Sequence, residues 1–332
     1  MACLLRTWVA RCGLALALAA FGLNTPVKAQ SYPSKTITIV VSIGAGTGMD
    51  VVARLYAEKL SAALGQTVVV ENRPGAATML AAAQVASAPA DGHTLVVLTS
   101  GALAINPALY KQINYDHING FVPISLYVKS PMILVANPNL PAKNVIEFIN
   151  HAKNAKPPIS YATLGAGAIQ HLCMEFAKNR FGFDATMVPY RNTGQSIVDI
   201  TSGQVNSGFV EAGASLPLIK DGRLRALAVS SSNRLPLLPD VPSFAEGANA
   251  PDFEAVSWHV LLAPAKTPRP IVERLHAEMK KIMSDPAMTE KAAAIGLIPI
   301  ASPSIEGMND YIKDERAKWG ALVDKLGLKG SQ

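Results

Sequence analysis

TITIVVSIGAGTGMDVVARLYAEKLSAAL, residues 36–64, is the stretch that decides the fold. Residues 36–43 are almost wholly β-branched or apolar without alternation, the pattern of a strand buried on both faces. Gly44, Gly46 and Gly48 then break the run. From Asp50 onward Val51, Val52, Leu55, Leu60 and Leu64 recur at roughly helical spacing, which predicts a helix over 50–64. Working outward, a strand over 67–70, a helix of small residues over 76–86 and a strand over 94–98 extend the unit to βαβαβ. That order predicts a doubly wound α/β sheet.

The pattern restarts after 121–128. Strands are expected over 132–136, 159–162, around Val188, and over 207–210 and 224–229, with helices over 144–155, 169–181, 196–202 and 215–220. LPLLPDVP, residues 235–242, has no period and few helix formers, so it is expected to be an extended connector. A strand over 258–263 and helices over 270–283, 287–295 and 305–326 finish the chain, with Pro270 suited to a first helical turn. Two α/β units with chain crossings near 125–128 and 226–230 imply two lobes around a cleft. The first would hold residues 30–128 and 231–332, the second residues 129–230.

Charge and cysteine content are distorted by the first thirty residues. The whole chain has 332 residues, three cysteines, 49% apolar and 16% charged residues, and a net charge of +6. Arg6 and Arg11 precede an apolar run over 13–23, and Val27-Lys28-Ala29 supplies small residues before a cleavage point. Residues 1–29 are therefore expected to be a secretory signal peptide cut after Ala29, and the protein to work in a periplasm. The run is shorter than the roughly 18 apolar residues a membrane span needs. Without the leader the charge falls to +3 and Cys173 is the one cysteine left, so no internal disulfide is expected. The longest basic run is Lys280-Lys281, which excludes nucleic acid as the main partner.

Ligands of α/β sheets bind beyond the carboxyl ends of strands, and four turns sit there. The first is 44–50, where Thr47 and Asp50 fit a capping box and the free N–H groups of a helix start suit an anion. The second is 161–168, opening the helix at 169. Thr99-Ser100-Gly101 and the turn 189–194 complete the set, and Arg191 could meet a carboxylate in bidentate fashion. Enzyme motifs are thin. Gly44-x-Gly46 followed by Glu71 imitates a dinucleotide fingerprint, but Met49 stands where its third glycine belongs. Around Ser215 the second glycine of a nucleophile elbow is Pro217. His171 and Glu175 share a helical face that Cys173 does not, and the histidines show no ligand spacing. Cys173 is expected in the core, and Trp258 either fills the core or lines the cleft. No metal and no cofactor is expected.

Several longer stretches carry a family resemblance: VVENRPGA (69–76), DGHTL (91–95), INPALY (105–110), VPY (188–190), GRLRALAV (222–229) and LPDVPS (238–243). With them the chain resembles the periplasmic substrate-binding receptors of tripartite tricarboxylate transporters, the Bug family, over nearly its whole length. The resemblance implies a type II periplasmic-binding-protein fold, two doubly wound lobes closing on a small carboxylate. It places ligand loops at 42–50, 99–101, 163–168 and 190–194, and an acidic position at Glu211. Two departures stand out: Ile43-Gly44-Ala45 replaces an aromatic residue and two prolines, and Arg191-Asn192 replaces Lys-Gly. An acid larger than the usual ligands, or an aromatic one, then fits as well.

The expected function is a non-catalytic receptor that captures a di- or tricarboxylate or an aromatic acid and delivers it to membrane permease subunits. The alternative is the same fold signalling to a sensor kinase, and less favoured is an exported oxidoreductase or hydrolase. A monomer is expected. Thr47, Thr99, Ser100 and Thr163 would offer hydroxyls, and the loop 165–168 (Gly165, Ala166, Gly167, Ala168) would offer amides together with Gly46 and Gly48. Tyr190 and Arg191 would close over the ligand. Asp50 would cap its helix, or receive a ligand amino group or a bridging water.

Overall fold

The structure is a computed structural model and describes residues 32–332. The expected signal peptide and its cleavage after Ala29 lie outside the described residues. Lys35–Gln332 form one compact unit. In chain order its elements are β1 (Ile37–Val41), α1 (Gly48–Leu64), β2 (Val68–Asn72), α2 (Met79–Ala86), β3 (Thr94–Thr99), α3 (Asn106–Leu109), β4 (Phe121–Ser130) and β5 (Met132–Ala136). There follow α4 (Val145–Asn154), β6 (Ile159–Thr163), α5 (Ile169–Phe181), β7 (Ala185–Pro189), α6 (Thr193–Ser202), β8 (Ser207–Glu211), α7 (Ala212–Lys220) and β9 (Arg225–Val229). The last are α8 (Phe244–Gly247), β10 (Ser257–Pro264), α9 (Arg269–Met283), α10 (Pro286–Ala294), β11 (Ile298–Pro299) and α11 (Ile305–Lys325).

The strands form two sheets. One has the order β11-β4-β10-β3-β1-β2, the other β7-β6-β8-β5-β9. Both are mixed. β1 pairs in parallel with β2 and β3, whereas β10 runs antiparallel between β3 and β4. In the second sheet β6 is parallel to β7 and β8, and β5 is antiparallel to β8 and β9. The central positions explain the continuous apolar runs: every residue of β5 and of β10 is buried. Trp258 of β10 is fully buried, and its indole N–H donates to Glu315 at 2.9 Å, so it belongs to the core.

The chain passes between the sheets at two adjoining places. β4 runs into β5 with Pro131 between them, and the return runs into β10 at Ala255, whose N–H donates to the Ser230 carbonyl at 3.0 Å beside the first crossing. There the Met132 N–H donates to Ser230 Oγ at 2.9 Å, and the Ser230 N–H donates to the Met132 carbonyl at 2.8 Å. The segment after β9, which the sequence reading attaches to the first lobe, packs on the second sheet. Leu235 and Leu238 join the apolar cluster of Ile133, Val210 and Val229, and Phe244 lies 5.8 Å from Phe209, ring to ring. Its apolar residues follow neither helical nor strand period, so no local pattern reveals which sheet they cover.

One helical segment also differs from expectation. Ala76, Ala77 and Thr78 hold φ of 46°, 50° and 75°, so the helix expected over 76–86 starts only at Met79. That left-handed turn is held by the Asn106 side-chain amide, which donates to the Ala77 carbonyl at 2.8 Å. Gly101–Ile105 form a π-helical turn, a form that often marks a functional site.

Candidate functional site

The first glycine turn connects β1 to α1. Thr47 caps α1: its hydroxyl donates to the Gly44 carbonyl at 2.8 Å and accepts from the Asp50 N–H at 3.4 Å. The buried Asp50 carboxylate accepts from the Gly46 N–H (2.9 Å), the Asn72 amide (2.9 Å) and the Arg54 guanidinium (3.0 Å). Burial pushes the Asp50 carboxyl up, but Arg54, the Gly46 N–H and Asn72 outweigh it and hold it below the usual range. Asp50 is thus a bracket that shapes the turn, and the Gly46 N–H is already committed to it. The Gly48 and Met49 amides belong to the first helical turn and have no intrahelical acceptor.

The second turn, between β6 and α5, is organised by His171, whose Nδ1 accepts from the Gly167 N–H at 3.0 Å. Burial pushes this imidazole's pKa down, so it is neutral and suited to that role. Thr163 is buried, and its hydroxyl donates to the Gly165 carbonyl at 3.3 Å. Ser100 and Ser257 share a hydroxyl–hydroxyl bond of 3.0 Å between β3 and β10, and Thr99 Oγ1 accepts from the Gly101 N–H at 3.2 Å.

These turns line two chambers. One, of about 430 Å³, is walled by Gly46, Thr47, Gly48 and Met49 from the start of α1, by Ala212, Gly213 and Ala214 from the start of α7, and by Gly296. The other, of about 470 Å³, is walled by Thr78, Thr99, Ser100, Gly101 and Asn106, and from the other sheet by Ala166, Gly167, Ala168 and Gln170. Ile43, Ser130, Glu211 and His259 line both chambers. Among the described residues, no lysine or arginine lines either one. An anion held there meets hydroxyls, amides and helix starts instead of a side-chain cation.

Of the site residues expected from sequence, Gly46, Thr47, Gly48, Thr99, Ser100, Ala166, Gly167, Ala168 and Glu211 line this divided cleft. Asp50, Thr163, Gly165, Tyr190 and Arg191 are not in its walls. Arg191 is exposed, and the Tyr190 hydroxyl donates to Asp199 at 2.8 Å on α6. Cys173 is buried, donates its thiol to the Ala255 carbonyl at 3.3 Å and has its pKa raised by burial. Among the described residues there is no group of three His, Cys, Asp or Glu that could hold a metal.

Sequence reasoning missed His259, Ser130, Thr78 and Gln170. His259 is 4% exposed, and its Nδ1 has no hydrogen-bond partner among the described residues. Burial pushes its pKa down to about 4. Burial also raises the Glu211 carboxyl above its usual range. Only the antiparallel return of β10 beside β3 brings His259 to the cleft, and no spacing along the chain announces that.

Two mixed α/β sheets linked at adjoining crossings, with a ligand-sized cleft walled from both, define a two-lobed solute-binding receptor of the type II periplasmic-binding-protein fold. The chain belongs to the tripartite tricarboxylate transporter receptor family, whose description matches residues 52–328. It is 34% identical over 314 residues to protein BugT of Bordetella pertussis, covering 94% of this chain and 95% of that one. Rpa4515 of R. palustris, solved with adipate, is 31% identical with a TM-score of 0.79, over 89% of this chain and 98% of that one. MatC of Rhodopseudomonas palustris, solved with bound malate, is 29% identical with a TM-score of 0.73, over 88% of this chain and all of that one.

Proposed function

We propose that the cleft captures a small carboxylate and that the exported protein, cleaved after Ala29, hands it to membrane permease subunits without chemical turnover. The observation that carries this is the convergence of turns from both sheets on one cleft free of lysine and arginine. It offers the amides at the starts of α1 and α5, the hydroxyls of Thr78, Thr99 and Ser100, and the Gln170 amide. Helix starts attract anions, and a ligand touching both lobes favours the closed arrangement a permease can recognise. The adipate and malate held by two related receptors support a short dicarboxylate as the ligand class.

The test is a thermal-shift screen of the protein lacking residues 1–29, followed by calorimetry. Succinate, adipate or malate should raise the melting temperature in a concentration-dependent way, by mass action. Stabilisation by sugars or amines with no response to any acid, or turnover of a bound acid, overturns the proposal.

A further inference from the structure

His259 and Glu211 come from different sheets, β10 and the end of β8, yet both line both chambers. Among the described residues neither side chain has a hydrogen-bond partner. His259 is more than nine-tenths buried with Nδ1 unpartnered, while Glu211 accepts from Ser215 Oγ only through its main-chain carbonyl. A neutral imidazole offers one donor and one acceptor, and a carboxylate offers acceptors alone.

A plain dicarboxylate can satisfy the imidazole N–H. It leaves the imidazole acceptor and the Glu211 oxygens without a donor, and it sets an anion beside a carboxyl group with no side-chain cation in the wall. A hydroxyl or ammonium group next to a ligand carboxylate removes both faults, since it donates to Glu211 or His259 while the carboxylate takes the remaining N–H. We propose that His259, acting with Glu211, is a specificity determinant that selects an acid carrying a hydroxyl or ammonium group beside its carboxylate. The proposal rests on the carboxylate-receptor reading above. Sites built to bond an OH or NH reject analogues lacking it strongly, because their own buried polar groups are then left unpaired.

Calorimetry with succinate, malate and aspartate on the protein lacking residues 1–29 tests it. Malate or aspartate should bind at least about tenfold more tightly than succinate, and His259→Phe should shrink that ratio below about threefold. Glu211→Gln keeps an acceptor of the same shape, so it should cost an aspartate preference far more than a malate preference; this separates the ammonium from the hydroxyl. It also keeps the test standing should His259→Phe not fold. Succinate binding as tightly as both others overturns this inference alone, as does a preference that survives in both variants. Binding of another acid such as adipate with none of these three overturns this inference alone, and failure of every acid to bind overturns the carboxylate reading as well.

Discussion

Met132 and Ser230 hydrogen-bond in both directions where the chain crosses between the sheets, at 2.9 Å through Ser230 Oγ and at 2.8 Å through the Ser230 N–H. Both residues are buried. Ser230→Ala keeps the main-chain bond but leaves the Met132 N–H without an acceptor in a place water does not reach. The expected loss is about 1–3 kcal/mol of unfolding free energy, measured by urea denaturation. A variant as stable as the parent would show that the crossing tolerates an open amide.

Asp50 shapes the first ligand turn through three donors, and its depressed pKa sets a pH signature. A carboxyl held below its unfolded value stabilises the fold in full above about pH 4, and that contribution fades as pH falls through the folded pKa. Asp50→Asn places an amide against the Gly46 N–H, the Asn72 amide and Arg54. It should cost about 1–3 kcal/mol at neutral pH, with the gap to the parent narrowing in acid. Denaturation midpoints from pH 3 to 7 check both parts, and a gap independent of pH would remove Asp50 as the titrating group.

The opening βαβ was legible because β1 is buried on both faces and α1 carries its own cap, so local residues encode both. The same holds for His171, which the helical face at 169–181 sets beside the second turn. The cleft was only half legible. Gly46 and Ser100 stand in turns that sequence can mark, but whether their donors are free depends on partners 4 and 157 residues away, Asp50 and Ser257. His259 lies in an all-buried strand whose pattern looks like core. Its exposure to the cleft follows from antiparallel placement between β3 and β4, a long-range pairing with no local signature. Arg191 is the converse case: its turn is well marked by sequence, but the side chain stays outside the cleft walls.

His259 carries a stability cost that its removal should expose. Its unfolded imidazole titrates near 6.5 and its folded one near 4, so the unfolded chain binds the extra proton between those values. Stability is then complete above about pH 6.5 and declines as pH falls toward 4, by a total on the order of 3 kcal/mol. His259→Phe abolishes that slope and replaces an unpaired buried nitrogen with carbon, so the unliganded variant should match or exceed the parent at pH 7 and exceed it clearly at pH 5. A parent curve with the same acid slope as the variant would place the titration elsewhere.

Gly167 holds φ of +77°, and a Cβ built on it would stand 1.8 Å from Leu109 Cδ2 on α3, across the cleft. Gly167→Ala should therefore fail for two separable reasons. The left-handed backbone costs a side chain about 1–2 kcal/mol wherever it occurs. The clash with Leu109 adds to this by forcing the second turn away from α3, which widens the chamber those residues wall. The single variant should lose stability and bind its best acid at least about tenfold more weakly, equivalent to about 1.4 kcal/mol. Leu109→Ala removes the obstructing methyl groups, so the double variant should recover the steric part but not the backbone part. A double-mutant cycle should then give a favourable coupling of about 0.5–3 kcal/mol in binding. Strict additivity would mean that the turn moves freely against α3 and that its position does not set the width of the cleft.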